Sequence, residues 1–148
     1  MARYQAIIQS RRAPAETFAY LAEFSNAVRW DPGVLAAGQL DPGPVGLGTR
    51  FRLVVPFLGR RMSLTYRVTT HRPDRAVVLT TVGGLLRATD EIVVTGRGDG
   101  SVVTYKAEVQ LPGPLRLLDP LLRPGFRAVG ERAAAGLAQA LSDDPAGP

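Results

Sequence analysis

The chain has 148 residues, 45% of them hydrophobic and 21% charged, with 16 Gly, 12 Pro, one His and no Cys. That balance fits one globular domain with its own core and excludes wholesale disorder, a disulfide scaffold, a thiolate nucleophile, an iron–sulfur cluster, Cys-ligated zinc and any metal site needing two imidazoles. The net charge of +5 comes from basic residues spread along the chain, all Arg except Lys106, with doublets only at Arg11–Arg12 and Arg60–Arg61; lacking an aromatic-plus-basic platform or an Arg-striped helix, they read as solvated faces.

Tyr4 to Ser10 reads as a first strand ending at Ala13-Pro14. PAETFAYLAEFS suits a short helix with Pro14 at an early position and Phe18, Leu21 and Ala22 on one stripe. SNAVRWDP suits a second, shorter helix, with Ser25 as its cap and Pro32 ending it by restricting Asp31. Val34 to Leu40 is a weak strand, and DPGPVGLGT a Gly- and Pro-rich connection. Strand-like segments then follow at Arg50–Pro56, Arg61–Thr70, Ala76–Val82, Leu85–Thr95 and Ser101–Leu111. The short turns between them, with Asp99-Gly100 the strongest hairpin signal, make neighbours antiparallel. From Pro112 the apolar period changes to that of a helix, and Leu118, Leu122, Phe126, Val129, Ala133, Leu137 and Leu141 form one stripe. Pro120 and Pro124 predict a short turn at Leu115–Leu118, a break, and a main helix from about Leu121 with Pro124 in its first turn.

The expected fold is α+β: a curved antiparallel sheet of about seven strands, two short helices after the first strand, and a long C-terminal helix against one face of the sheet. Residues 1–141 are expected to form the single domain, with 142–148 as a flexible tail. No run is apolar enough to span a bilayer, and the first residues lack the pattern of a secretory signal, so a cytoplasmic location is expected.

Alternation assigns the faces of the strands. Phe51, Leu53 and Val55 share one inner face; Met62, Leu64, Tyr66 and Val68 another; Leu86, Ala88, Asp90, Ile92 and Val94 a third; Val103, Tyr105, Ala107, Val109 and Leu111 a fourth. The AVVLTTV strand is apolar on both sides and assigns to neither. Three polar groups thus point into an apolar surround: Tyr66, Asp90 and Tyr105. A carboxylate there is paired, reached by water near a sheet end, held protonated, or set to anchor a ligand; a core Tyr hydroxyl ends on a backbone carbonyl, at a rim or on a ligand. Small inner residues, Ala88, Ala107, Ala133 and Gly136, favour an unfilled centre.

The order of elements, together with AP..TFAYLAEFSNAVRWDPGV, GPVGLGTRFR, LTYRV and LLRPGFRAVGERAAAGL, resembles the START-like, helix-grip (SRPBCC) superfamily, and within it the polyketide cyclase/dehydrase-like branch. The resemblance covers nearly the whole chain and implies a sheet gripping the terminal helix around a deep hydrophobic cavity. Members bind lipids, sterols, quinones, plant hormones or polyketides, and some catalyse cyclisation, aromatisation or dehydration. The Trp30-Asp31-Pro32 string and the Gly46–Thr49 loop look like structural signatures of that superfamily.

The expected ligand contacts are Phe51, Leu53, Met62, Leu64 and Ala88 from the sheet, Leu122, Phe126 and Val129 from the helix, and Trp30 from the short helix. Tyr66, Asp90 and Tyr105 are the expected polar anchors, and in an enzyme the catalytic groups. The leading expectation is a carrier or sensor of a small hydrophobic molecule; the alternative is a cyclase or dehydratase, with Asp90 exchanging protons and a tyrosine polarising a carbonyl. A third possibility is an interaction module whose basic outer face meets RNA or an acidic protein. No cofactor, metal or nucleic-acid partner is expected. GPVGLGT lacks the Lys-Ser/Thr of a phosphate-binding loop. His71 reads as a surface residue, and Arg123 as pairing with Asp119 one turn earlier, or reaching an acidic ligand head group.

Overall fold

The computed structural model describes residues 2–57 and 59–142, apart from the side chains of residues 119, 122 and 123. Among the described residues, seven strands form one sheet: β1 (Ala2–Ser10), β2 (Ala36–Gln39), β3 (Arg50–Phe57), β4 (Arg60–Arg72), β5 (Ala76–Thr81), β6 (Arg87–Arg97) and β7 (Gly100–Gln110). They pair antiparallel in the order β1-β7-β6-β5-β4-β3-β2. The helices are α1 (Pro14–Ala22) and α2 (Ala27–Trp30), joined by a 3₁₀ turn at Phe24–Asn26, and α3 (Asp119–Ser142), preceded by a 3₁₀ segment at Gly113–Leu118. The curved sheet, the long terminal helix and the short helices after β1 make this a helix-grip fold.

Alternation explains how the sheet turns its faces. Leu64, Tyr66 and Val68 of β4, Ala88, Asp90, Ile92 and Val94 of β6, and Val103, Tyr105 and Ala107 of β7 are all buried on the inner side. In β5 the inner residues are Val77 and Leu79, both fully buried. The outer face carries cross-strand ion pairs at register partners: Arg3 with Glu108 at 3.4 Å and Lys106 with Glu91 at 3.8 Å. Such exposed pairs add little to stability. A register shift between Val68 and Thr70 interrupts the β4–β5 ladder, a device that bends a strand.

α1 leaves β1 through a buried knot of hydroxyls. Thr17 Oγ1 lies 2.8 Å from Ser10 Oγ and accepts from Ser101 Oγ at 2.9 Å within a hydrogen-bond network that joins the end of β1, the start of α1 and the start of β7. Ser25 does not cap α2. Its hydroxyl donates to the Glu23 carboxylate, and α2 starts at Ala27 without a side-chain cap. His71 is half-buried, edge-on to the Phe18 ring of α1 at 5.5 Å.

α3 begins at Asp119, directly after the 3₁₀ segment, so the expected break before Leu121 is absent and Pro124 lies inside the helix. Pro120 sits in the first turn, where a missing N–H leaves nothing unsatisfied. Pro124 lacks the donor that would reach the carbonyl one turn back. The far end is anchored: Leu137 and Leu141 are fully buried, and Arg11 N donates to the Leu141 carbonyl at 3.0 Å. The near end is not packed down, since Leu121 is exposed and Val129 is 43% exposed. Ser142 is the last residue of α3; the rest of the expected tail lies outside the described residues.

Candidate functional site

Between the lifted half of α3 and the inner face of the sheet lies a cavity of about 370 Å³. Leu53, Val55, Leu64, Ala88 and Ala107 form its sheet wall, Phe126, Val129 and Ala133 its helix wall, and Phe24, Trp30 and Val34 close it from the α1–β2 connection. Its volume lies within the range of small-molecule sites, and its walls are mainly apolar, as such sites are.

Four polar side chains face this space: Asp31, Tyr66, Asp90 and Tyr105. β4, β6 and β7 place Tyr66, Asp90 and Tyr105 on one inner face by alternation, and Asp31, directly after α2, also lines the cavity. The Tyr105 hydroxyl donates to Asp90 Oδ2. Tyr105 also packs edge-on against Trp30 at 5.7 Å, and Tyr66 against Phe24 at 5.2 Å. These contacts fix the rings but leave polar capacity unused. Among the described residues, the hydroxyl of Tyr66 (6% exposed) and Oδ1 of Asp90 (7% exposed) have no hydrogen-bond partner. Asp31 accepts from the Gly33 N–H at 2.8 Å through Oδ1 alone.

Burial dominates the electrostatics. Desolvation pushes Asp90 up to about 7, opposed by the Tyr105 hydroxyl and reinforced by the Asp31 charge. Asp31 is also raised by desolvation, partly offset by the Gly33 N–H. Tyr66 and Tyr105 are raised well above their ordinary value, first by burial and then by the Asp90 charge, so both stay protonated donors. No Lys, Arg or His lines the cavity among the described residues. The same residues include no cluster able to hold a metal ion. Chemically, the cavity offers an apolar enclosure, two phenol donors and two carboxylates, one of them balanced near neutrality.

Of the residues expected at the site, Trp30, Leu53, Leu64, Tyr66, Ala88, Asp90, Tyr105, Phe126 and Val129 line this cavity. Phe51 does not; it is fully buried beside Phe24 at 6.2 Å, in solid core. Met62 is half-buried and off the cavity wall. Leu122 and the Asp119–Arg123 pair lie outside the described side chains, while Arg127 pairs with Glu131 at 3.4 Å on the exposed face of α3. Gly136, expected beneath the hollow, is instead pressed against the Trp30 carbonyl. Sequence reasoning missed Asp31 as a cavity group, reading it as the end of α2 and as part of a structural signature. The signal was present: a carboxylate directly follows Trp30 on an element too short to be solvated all round.

A family model described as polyketide cyclase / dehydrase and lipid transport matches residues 1–142. No curated protein matches the chain. Among solved structures, protein TTHA0849 from Thermus thermophilus superposes with a TM-score of 0.74 at 17% identity, covering 95% of each chain. A START superfamily protein from Mycobacterium smegmatis gives 0.70 at 14% identity, over 95% of this chain and 97% of that one. The di-domain ARO/CYC StfQ from the steffimycin biosynthetic pathway gives 0.67 at 15% identity, over 95% of this chain and 50% of that one. At such identities the likeness is one of fold.

Proposed function

The chain belongs to the polyketide cyclase/dehydrase and lipid transport family, and from that premise we propose that it binds one small hydrophobic molecule in the cavity between sheet and α3, as a carrier or sensor. The observation that carries this reading is the mainly apolar cavity with the Tyr66 hydroxyl unpartnered on its wall. A ligand oxygen that accepts from that hydroxyl would contribute about 0.5–1.5 kcal/mol, the net worth of one hydrogen bond. Covering about 300 Å² of apolar ligand surface contributes on the order of 7 kcal/mol before the cost of association. Trp30, Leu53, Leu64, Ala88, Phe126 and Val129 would supply that contact, and Tyr66, Asp90 and Tyr105 would orient the polar end.

Native mass spectrometry of protein purified from its own host is expected to retain a co-purifying hydrophobe. With that molecule in hand, Tyr66→Phe is expected to weaken binding about fivefold to tenfold, the worth of one net hydrogen bond. Its melting temperature should not fall, because the hydroxyl bonds nothing in the protein. Unchanged affinity would remove Tyr66 from the site, and protein that never carries or accepts a hydrophobe would remove the carrier reading.

A second reading has its own observation: Asp90, poised near neutrality, holds a Tyr105 proton in hydrogen bond while the Tyr66 hydroxyl stands free beside it. A group titrating near the working pH is suited to take a proton from one carbon and return it elsewhere. In a cyclase or dehydratase, Asp90 would exchange the proton and Tyr66 would polarise a carbonyl. Turnover of a short poly-β-ketone would then show an apparent pKa near 7 in kcat/KM and fall about 10²–10⁴-fold in Asp90→Asn. Turnover indifferent to that substitution would leave binding alone.

A further inference from the structure

Resting on the hydrophobic-ligand reading above, the geometry points to the charge of the ligand's polar end: we propose that the cavity selects an apolar molecule carrying a protonated amine and rejects its carboxylate counterpart. Asp31 and Asp90 both face the cavity, and the Asp31 charge adds to the upward push on Asp90. Among the described residues no cation lines the cavity to balance them. The Asp90–Tyr105 bond satisfies only one carboxylate oxygen, and the Asp31–Gly33 bond only one of the other's. Asp90 is buried and Asp31 half-buried; a carboxylate withdrawn from water is protonated or matched by a cation, and here the cation would come with the ligand.

The rings point the same way. Phe24, Trp30, Tyr66 and Tyr105 line the same space, and aromatic faces attract a desolvated cation. A carboxylate ligand would meet two like charges, with only the Tyr66 hydroxyl unengaged as a donor. An ammonium would find two free carboxylate oxygens and the Tyr66 oxygen as acceptor. The cavity would thus distinguish ligands of one shape by the sign of their head group.

The test uses three probes with the same ring system, naphthylmethylamine, naphthylmethanol and naphthoate, titrated calorimetrically at pH 8, where Asp90 is ionised. The amine is expected to bind at least about tenfold more tightly than the alcohol, with naphthoate weakest. The Asp31→Asn/Asp90→Asn double variant should bind amine and alcohol alike, and each single variant should fall between. Between pH 5 and 7 the amine's affinity should rise toward tenfold per unit as Asp90 ionises, then level off, while the alcohol's does not rise. The groups facing Asp90 are Tyr105 on β7, Tyr66 on β4 and Asp31 after α2; the stretch of α3 that lines the cavity presents Gly125, Phe126, Val129, Gly130 and Ala133, none of which titrates. If the amine gains nothing over the alcohol, if naphthoate equals it, or if its advantage survives in the double variant, the inference is wrong while hydrophobic binding stands. If none of the three probes binds, the cavity reading fails and this inference falls with it.

Discussion

Replacing Asp90 with Asn is expected to raise stability at pH 8 by a few kcal/mol and leave it nearly unchanged at pH 4. In the folded chain Asp90 titrates at about 7, against an ordinary value of 3.8. Between those values the folded state keeps a proton that the unfolded chain has released. The unfolded state then binds fewer protons, so stability falls as pH rises through this window. The separation of roughly three pH units corresponds to on the order of 4 kcal/mol, fully lost above pH 7. Asn is neutral throughout and can still accept the Tyr105 hydroxyl through its amide oxygen. Urea unfolding of both proteins at several values from pH 4 to 8 reads the effect. The two curves should converge at low pH and separate progressively toward pH 8. Parallel curves would mean that Asp90 is solvated and that its poise near neutrality is not real. Asp31, also raised, contributes a slope of the same sign that survives in the variant. A neutral isostere would keep the Tyr105 hydrogen bond without that loss of stability, so packing alone does not account for a carboxylate at position 90.

The strands were the most legible part of this molecule. In β4, polar Ser63, Thr65 and Arg67 separate Leu64, Tyr66 and Val68, and the apolar set is the buried one. Met62 belongs to the same row but lies toward the β3–β4 turn, where burial thins out. β5 was opaque for a physical reason. Its outward Val78 is as apolar as the inward Val77 and Leu79, so alternation of residue type marks neither face. In α3 the stripe predicted one face correctly but not how far the sheet follows it. Leu137 and Leu141 are fully buried while Val129, on the same stripe, is 43% exposed, because the hollow opens beneath the first half of the helix. Periodicity reports direction, and a cavity is missing volume, which has no residue of its own. The small inner residues Ala88, Ala107 and Ala133 hinted at it, and the family resemblance implied it. Asp31 was hidden by a competing local explanation: the residue before Pro32 is extended whatever else it does.

Gly136→Ala is expected to destabilise the fold by about 2 kcal/mol or more, although alanine is the better helix former by about 1 kcal/mol. A Cβ at position 136 would overlap the Trp30 carbonyl oxygen and lie 3.1 Å from its carbon. Both atoms are backbone, so no side chain can rotate away. Either α3 retreats or the Trp30-Asp31-Pro32 segment does. That segment carries Trp30, which is 3% exposed and packs on Tyr105, and Asp31, which faces the cavity. The retreat therefore loosens the cavity wall as well as the helix contact. The melting temperature should drop by roughly 4–8 °C, and affinity for the bound hydrophobe should fall with it. Gly125→Ala is the control in the same helix, since a Cβ there meets nothing within 4 Å. With the steric cost absent, only the helix preference remains, and that variant should gain a few tenths to about 1 kcal/mol. Opposite signs at the two glycines would establish that α3 meets the Trp30 carbonyl backbone to backbone. Stabilisation by both would show that the helix stands farther from α2 than this contact requires, and the cavity would then be larger and more open than its walls imply.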